Sequence, residues 1–327
     1  MKKKRIKLGL ALGSGGARGL IHIGVLKVLE ENGIRPDCIA GTSMGAAIGA
    51  AYSIGYSSKE IAEITKSTDW KKIVDFTIPK SGIIKGELIE NKIRKLLKDR
   101  DFKELHVPLA IVAYNLTKRK KVVFTKGNVS KAVRASISIP GIFSPTTIDG
   151  DRYIDGVVSD PTPFDIVRDM GADVVIAVDL YNKEKTAKAP KAQKGSLLKE
   201  LKKQFILDEL LNIRNYLIPD RWPGFRRKVL RWIFDKILYP AKVLRILAGR
   251  QVPEITMVMH DSIDVLSNNY AHERLKNANV DIVLSPVIKD IDWSDFDKVD
   301  SFVRIGEKAM RARLPELKKK LKHQNTR

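Results

Sequence analysis

The chain has 327 residues, and its 43% hydrophobic content is enough to fill a core, which argues against a disordered protein. A single cysteine, Cys38, excludes an internal disulfide and argues against a zinc cluster. The formal net charge of +22 predicts an anionic partner, either a nucleic acid or a membrane surface. No apolar run approaches the roughly 18 residues of a membrane-spanning helix. The basic start resembles a signal peptide, but Lys7 and Gly9 interrupt its apolar stretch, so we expect a first strand there and a cytoplasmic protein.

Short, apolar, β-prone runs alternate with helical patterns along most of the chain. Strands are predicted at residues 7–12, 37–40, 109–115, 121–125, 173–179 and 280–285. Helices are predicted over residues 17–32, directly after Ser43, and over residues 299–322, where Pro315 should disturb the helix. Hairpin turns are predicted at residues 118–121 and at Asp149-Gly150. The alternation predicts a single α/β domain over residues 1–327, with helices on both faces of the sheet.

One segment departs from this alternation and carries much of the charge. Residues 183–250 hold eighteen Lys and Arg against six acids, a net charge of +12. We interpret residues 183–262 as a basic, amphipathic helical insertion or cap within the domain. Residues 225–239 place apolar side chains along one helical stripe and basic ones beside it, which favours docking on an anionic membrane surface. The alternative is a helix that packs on the core with a solvated basic face.

The stretch IAGTSMGAAIGA, residues 39–50, places Ser43 between two glycines directly after a predicted strand. The Gly41-x-Ser43-x-Gly45 pattern is typical of a nucleophile elbow, a tight strand-to-helix turn that projects the serine hydroxyl. The small residues that follow would let the next helix pack closely behind the turn. The pattern also recurs by chance, and the alternative is an ordinary serine at a helix N-cap.

A glycine-rich run, GSGGARG at residues 13–19, joins the first predicted strand to the first predicted helix. Successive backbone N–H groups at such a helix start form an anion cradle, and donors of this kind stabilise the tetrahedral intermediate of acyl transfer. A phosphate-binding loop is the alternative interpretation. The run lacks both the G-x-G-x-x-G spacing and the Gly-Lys-Ser/Thr ending of a P-loop, which favours the oxyanion hole.

A serine nucleophile needs a general base, and the sequence offers two kinds. Only His260 and His272 suit the Ser…Asp…His order of α/β-hydrolases, and none of the five histidines lies in a recognisable catalytic loop. Asp155 ends a predicted hairpin strand and precedes Gly156. A partly desolvated carboxylate within hydrogen-bond reach can take the serine proton directly. An ordinary turn at Asp155-Gly156 is the alternative. The other three histidines are His22, His106 and His323.

These segments together resemble the patatin-like phospholipase family, in particular its compact bacterial branch related to neuropathy-target-esterase catalytic domains. Four blocks carry the similarity, in the family's order, within about residues 7–179. They are G-G-x-R-G at residues 15–19, the elbow at residues 41–45, A-S-x-x-x-P at residues 135–140, and D-G-G/A at residues 155–157. The third place of the last block is Val157, a mild departure that concerns local packing more than Asp155.

The resemblance implies a three-layer α/β/α fold and a serine lipid acyl hydrolase (phospholipase, lysophospholipase or esterase) that uses no cofactor, metal or nucleotide. Ser43 would be the nucleophile and Asp155 its base, and the oxyanion hole would consist of the N–H groups of Gly15, Gly16, Ala17 and Arg18. The expected partners are a lipid or phospholipid ester and an anionic membrane surface bound by the basic insertion, with no nucleic acid. The charge alone favours an alternative, a membrane-surface or nucleic-acid-binding protein without hydrolase activity.

Overall fold

A computed structural model describes residues 5–70, 72, 73, 75, 82–181, 224, 254–288 and 293–323. Most of the predicted basic insertion, including its amphipathic stretch at residues 225–239, lies outside these residues. The described strands are β1 Leu8–Leu12, β2 Cys38–Thr42, β3 Gly82–Ile84, β4 Leu109–Asn115, β5 Lys120–Phe124, β6 Gly141–Phe143, β7 Thr146–Ile148, β8 Asp151–Asp155, β9 Val174–Val178 and β10 Ile282–Leu284. The described α-helices are α1 Ile21–Glu31, α2 Met44–Ser53, α3 Ser58–Ser67, α4 Glu87–Leu96, α5 Val129–Ser136, α6 Phe164–Asp169, α7 Glu254–Lys276 and α8 Val299–His323.

The main sheet has the strand order β10-β9-β1-β2-β4-β8-β7, with β5 also paired to β4. Strands β10, β9, β1, β2 and β4 are parallel, whereas β5 and β8 run antiparallel to β4 and β7 antiparallel to β8. All six predicted strands are confirmed, and the two predicted hairpin turns join β4 to β5 and β7 to β8. Arg119, Asp149 and Gly150 in these turns have positive φ, as tight hairpins require.

Buried apolar side chains cover both faces of this sheet. Leu10 and Leu12 of β1 pack in the cluster that includes α1, α2 and α8. Ala11, between them, packs in a second cluster with Phe164 and Val167 of α6. Successive strand residues point to opposite faces, so this alternation places helices on both sides of the sheet. The predicted α/β/α architecture is therefore confirmed.

Two helix predictions differ in detail from the structure. The first predicted helix starts as a 3-10 turn at Gly16–Leu20 and becomes α-helical only at Ile21, because its glycines disfavour a regular helical start. The disturbance expected at Pro315 does not break α8, which continues from Val299 to His323. Pro315 is exposed, so water can reach the carbonyl that loses its helical partner.

Helices α1 and α8 cross with their backbones in close contact. A Cβ atom on Gly24 would lie 2.0 Å from the Val303 carbonyl oxygen, and one on Gly306 would lie 2.0 Å from the Ile21 carbonyl oxygen. Glycine at these two positions therefore sets the distance between the helices. Lys27 of α1 and Glu307 of α8 form an ion pair at 2.5 Å beside the crossing. The crossing holds the helix that follows the glycine-rich loop against the sheet.

Candidate active site

Ser43 occupies the turn between β2 and α2. Its φ of 56° and ψ of −122° lie in a region that residues with a side chain rarely adopt. A Cβ atom on Gly41 would lie 2.6 Å from the Ala46 backbone, and one on Gly45 would lie 2.1 Å from the Leu12 carbonyl oxygen. Both glycines are thus required by close backbone contacts. The Ser43 side chain makes no capping hydrogen bond to α2, so its hydroxyl is available for another role.

The Ser43 hydroxyl donates a 2.6 Å hydrogen bond to Oδ2 of Asp155. The other carboxylate oxygen, Oδ1, accepts the N–H of Val157 at 2.9 Å. Asp155 is only 1% exposed, and this burial raises its pKa to about 7, while its two hydrogen bonds act in the opposite direction. The acceptor of the Ser43 hydroxyl is therefore a carboxylate with a pKa near neutrality, and not an imidazole.

The sheet itself brings these two residues together. Ile111 of β4 pairs with β2 on one side and β5 on the other, and Ala113 pairs with β8 on the side opposite β5. Strands β2 and β8 therefore follow one another along the same edge of β4. Thr42, the last residue of β2, lies opposite Val112, and Asp155, the last residue of β8, lies opposite Ala113. The carboxyl ends of the two strands meet head to head.

The C-terminal end of α5 contacts the backbone of both residues. The Ser43 N–H donates to Oγ of Ser136 at 2.8 Å, and that hydroxyl donates to the Val112 carbonyl at 2.6 Å. The Asp155 N–H donates to the Ser138 carbonyl at 2.9 Å. Ser136 and Ser138 are fully buried. Sequence reasoning matched the A-S-x-x-x-P block but gave Ser136 no role, because its two partners lie far away in sequence.

The glycine-rich loop passes beside Ser43, and its four predicted oxyanion donors are not equivalent. The Ala17 N–H donates to the Trp293 carbonyl at 2.6 Å, and the Arg18 N–H donates to the Gly15 carbonyl at 3.1 Å. The N–H groups of Gly15 and Gly16 have no acceptor within the described part of the chain. Both glycines line the same pocket as Ser43.

This pocket is formed by residues from several separate segments. They are Ser14, Gly15, Gly16, Arg18, Ser43, Ile139, Asp155, Val157, Tyr181, His260, Ile263, Asp264 and Trp293. The Arg18 guanidinium donates to the Asp264 carboxylate at 2.7 Å, which connects the glycine-rich loop to α7. The His260 ring contacts the Trp293 ring at a centroid distance of 4.2 Å. Sequence reasoning missed the pocket role of α7, Trp293 and Tyr181 because no motif marks them.

The structure places His22, His260 and His272 in three different environments. His22 is fully buried, and its Nε2–H donates to the Gly13 carbonyl at 2.7 Å. Burial lowers the pKa of His22 to about 4, so its ring stays neutral near pH 7. His260 lies on the pocket wall, and His272 is half-buried further along α7. His22 is thus a core residue that supports the start of the glycine-rich loop.

Other features bear on cofactors and membranes. Cys38 is buried, and burial raises the pKa of its thiol to about 11, which keeps it protonated. Within the described ranges, no group of three or more His, Cys, Asp or Glu is arranged to hold a metal ion. The helices described here also include none that is both long and apolar enough to cross a bilayer.

Residues 10–168 match the sequence model of the family described as Patatin-like phospholipase. These residues, just under half of the chain, therefore form a patatin-like phospholipase domain. It is 38% identical over 181 residues to an uncharacterized NTE family protein of Mycobacterium tuberculosis, covering 54% of this chain and 50% of that protein. It is 34% identical over 189 residues to Patatin-like phospholipase domain-containing protein 6 of Homo sapiens, covering 55% of this chain and 14% of that protein.

The chain thus spans about half the length of its mycobacterial relatives and a smaller share of the human one. Among solved structures, the chain is similar to VipD from Legionella pneumophila, with a TM-score of 0.45 and 13% sequence identity over 95% of this chain and 67% of that one.

Proposed function

We propose that this chain is a serine lipid acyl hydrolase with Ser43 as nucleophile and Asp155 as its base. The observation that carries this proposal is the 2.6 Å hydrogen bond from the Ser43 hydroxyl to the Asp155 carboxylate, made inside a pocket. The family's description, Patatin-like phospholipase, supports a lipid ester as substrate. The elbow geometry of Ser43 supports its role because it projects the hydroxyl from a backbone fixed by two glycines.

The chemistry follows from these positions. Asp155 takes the proton of the Ser43 hydroxyl as Oγ attacks the ester carbonyl carbon, and the carbonyl oxygen becomes the oxyanion. The N–H groups of Gly15 and Gly16 are the donors that we assign to this oxyanion. Asp155 then returns the proton to the departing alcohol, which leaves an acyl-Ser43 ester. Water loses a proton to Asp155 as it attacks this ester, and Ser43 regains that proton when the fatty acid leaves.

We also propose that the basic residues of segment 183–250 attract the enzyme to anionic membranes. The support is the net charge of +12 and the amphipathic pattern of residues 225–239, both read from the sequence. A salt-sensitive preference for anionic over neutral vesicles is the expected behaviour. Substituting glutamate for Arg226, Arg227, Lys228 and Arg231 should weaken that preference and spare the hydrolysis of a soluble ester.

The dyad is tested by hydrolysis of p-nitrophenyl butyrate and of a panel of phospholipids. Ser43→Ala and Asp155→Asn should each lower kcat by roughly 10³-fold or more, and the double variant should lose little beyond either single one, because the two residues act as a unit. Ser43→Ala should also abolish labelling by a fluorophosphonate. The matched controls are Ser262→Ala and Asp261→Asn, two exposed positions on α7. If His260→Ala inactivated the enzyme equally in a folded protein, the base would be a histidine and not Asp155.

The oxyanion hole needs a separate test. A Cβ atom on Gly16 would lie 2.6 Å from the Trp293 carbonyl oxygen, so a side chain there must displace the loop. Gly16→Val should lower kcat by about 10²–10³-fold and slow fluorophosphonate labelling in parallel. Gly33→Ala is the control, since Gly33 also has a positive φ but open space around its Cα. Unchanged turnover in Gly16→Val would refute the assignment.

A further inference from the structure

The hydroxyl groups of Ser14 and Tyr181 form a hydrogen-bonded pair at the active-site pocket. Their oxygen atoms are 2.7 Å apart, and both residues line the cavity that contains Ser43. Ser14 is 1% exposed and Tyr181 is 6% exposed. Ser14 belongs to the glycine-rich loop and Tyr181 follows β9, so the contact joins segments that are 167 residues apart. The reaction steps given above use neither hydroxyl.

This pair holds one more proton than its own hydrogen bond needs. Two hydroxyl groups carry two protons, and the bond between them uses one. Neither oxygen makes a second hydrogen bond to the part of the chain that the structure describes. A buried O–H group without an acceptor costs free energy, and such groups in native proteins call for a ligand, a water or a catalytic role. The remaining O–H therefore indicates an acceptor atom in the pocket.

Tyr181 is the better donor of the two residues. A phenol is a stronger acid than an aliphatic alcohol, so the favoured arrangement has the Tyr181 hydroxyl donating to Oγ of Ser14. Burial, together with the nearby carboxylate of Asp264, raises the pKa of Tyr181 well above its ordinary range, which keeps the phenol protonated. The proton that remains then belongs to Ser14. A hydroxyl that accepts a hydrogen bond also becomes a stronger donor, because bonds in a chain polarise one another.

The contacts of Tyr181 leave its hydroxyl little freedom. Its side chain belongs to a small buried cluster with Val157, and the Arg18 guanidinium lies 5.7 Å from its ring centroid. Its backbone N–H donates to the Asp179 carboxylate at 3.3 Å. Val157 supplies the N–H that binds Asp155, so Tyr181 packs against the same short segment that orients the proposed base.

Ser14 directly precedes Gly15, whose N–H is one of the two donors assigned to the oxyanion. Four covalent bonds separate Oγ of Ser14 from the Gly15 nitrogen, so the two atoms lie within about 5 Å of each other. Donors at this separation can both reach one oxygen atom. The Ser14 N–H donates to the Pro161 carbonyl at 2.8 Å, which fixes the backbone at this point.

We propose that the Ser14 hydroxyl donates a third hydrogen bond to the oxyanion and that Tyr181 positions this hydroxyl. A charged oxygen is a stronger acceptor than a neutral carbonyl, so the bond tightens as Ser43 attacks the ester. Ser14 is then a catalytic residue, and Tyr181 acts through it as a positioning residue. This inference rests on the proposed function, because it requires an ester carbonyl attacked by Ser43.

The test compares Ser14→Ala and Tyr181→Phe with the wild type on p-nitrophenyl butyrate. Ser14→Ala should lower kcat by about tenfold to a hundredfold with little change in KM, because the bond is made to the oxyanion more than to the neutral ester. Tyr181→Phe should lower kcat by only about threefold to tenfold, since the Ser14 hydroxyl remains. The double variant should be no slower than Ser14→Ala, because Tyr181 acts through Ser14. The matched controls are Ser262→Ala and Tyr270→Phe, two exposed positions on α7.

A trifluoromethyl ketone gives a second readout, because its adduct with Ser43 carries an oxyanion at the same place. Ser14→Ala should weaken inhibition by about the same factor as it lowers kcat, as expected for a transition-state analogue. The melting temperature of Ser14→Ala should stay close to that of the wild type. A purely structural role would instead lower the melting temperature and give no match between the two factors.

Four results would overturn the assignment of Ser14 and Tyr181. Ser14→Ala could hydrolyse the ester at the wild-type rate. It could raise KM with kcat unchanged, which would assign the hydroxyl to binding of the neutral substrate. The double variant could be much slower than Ser14→Ala, which would give Tyr181 its own contact with the substrate. Both single variants could lose activity only in step with thermal stability, which would make the pair a packing contact.

The outcome for the proposed function is read separately, from the wild type. A wild type that hydrolyses esters while Ser14→Ala matches its rate would leave the proposed function in place and refute the role of Ser14. A wild type that neither hydrolyses esters nor reacts with a fluorophosphonate at Ser43 would refute both.

Discussion

Replacing Asp155 by asparagine should make the fold more stable at neutral and alkaline pH, although it should abolish catalysis. Burial raises the pKa of Asp155 from 3.8 to about 7, so the native state holds its proton over a range where the unfolded chain has lost it. Unfolding then releases a proton between about pH 4 and pH 7, and the stability of the wild type falls as pH rises through this window. Above about pH 7, Asp155 is ionised in the native state as well, and the burial of its carboxylate lowers the unfolding free energy by the full amount.

The size of this cost follows from the same shift. A difference of about three pKa units, at 1.36 kcal/mol per unit, corresponds to about 4 kcal/mol. Asparagine fits the existing contacts, since its carbonyl oxygen can accept the Val157 N–H and its amide can donate to the Ser43 hydroxyl. A buried amide keeps part of the desolvation cost, so we expect a net gain of about 1–3 kcal/mol.

Urea unfolding followed by tryptophan fluorescence at about pH 5, 7 and 9 measures this gain. The difference in unfolding free energy between Asp155→Asn and wild type should grow from the first pH to the last. Ser43→Ala is an informative companion, because it removes a hydrogen bond that lowers the pKa of Asp155 and should shift the wild-type transition to higher pH. A variant no more stable than wild type at pH 9, or a difference that stays constant with pH, would refute the reasoning.

Four further predictions follow from the same contacts. The kcat/KM for a soluble ester should rise with pH and level off above about pH 7, because only ionised Asp155 can act as base, and a rate independent of pH from 5 to 9 would contradict this. Ser136→Ala should lower kcat about tenfold or more with little change in KM, since it leaves the Ser43 N–H without its acceptor. His22→Leu should destabilise the fold by about 1–3 kcal/mol in urea unfolding and leave the pH profile in place. Gly306→Ala should lower the unfolding free energy by about 1–3 kcal/mol, because it forces α1 and α8 apart.

Four strands of the main sheet, β1, β2, β4 and β9, could be predicted because they lie in its buried centre. The runs at β1, β2, β4 and β9 are nearly continuous apolar stretches, which is what a parallel sheet covered on both faces requires. The pair β3–β6 could not be predicted in the same way. Each of these strands has three residues, too few to show a period, and their pairing joins segments almost sixty residues apart.

The candidate site also has features that nearby sequence determines and features that depend on remote segments. Ser43 and its glycines are prescribed locally, since backbone contacts within a few residues and with the end of β1 leave no room for side chains. The N–H donors of the glycine-rich loop are not determined locally. The Ala17 N–H donates to the Trp293 carbonyl, which comes from a remote segment. A motif therefore identifies the loop but not which of its N–H groups is available. That distinction needs the tertiary structure.

The register of β4 supports the dyad proposed for Ser43 and Asp155. The last residues of β2 and β8 lie opposite neighbouring positions of the same strand, Val112 and Ala113, about 3.3 Å apart along the backbone. This register brings the ends of β2 and β8 together, so that the Ser43 hydroxyl lies within hydrogen-bond distance of the Asp155 carboxylate. A histidine base on a flexible side chain needs a third group to orient it, as in a Ser-His-Asp triad. Asp155 is oriented instead by the Val157 N–H and by its own place at the end of β8, so the proposed dyad would be preorganised before any substrate binds.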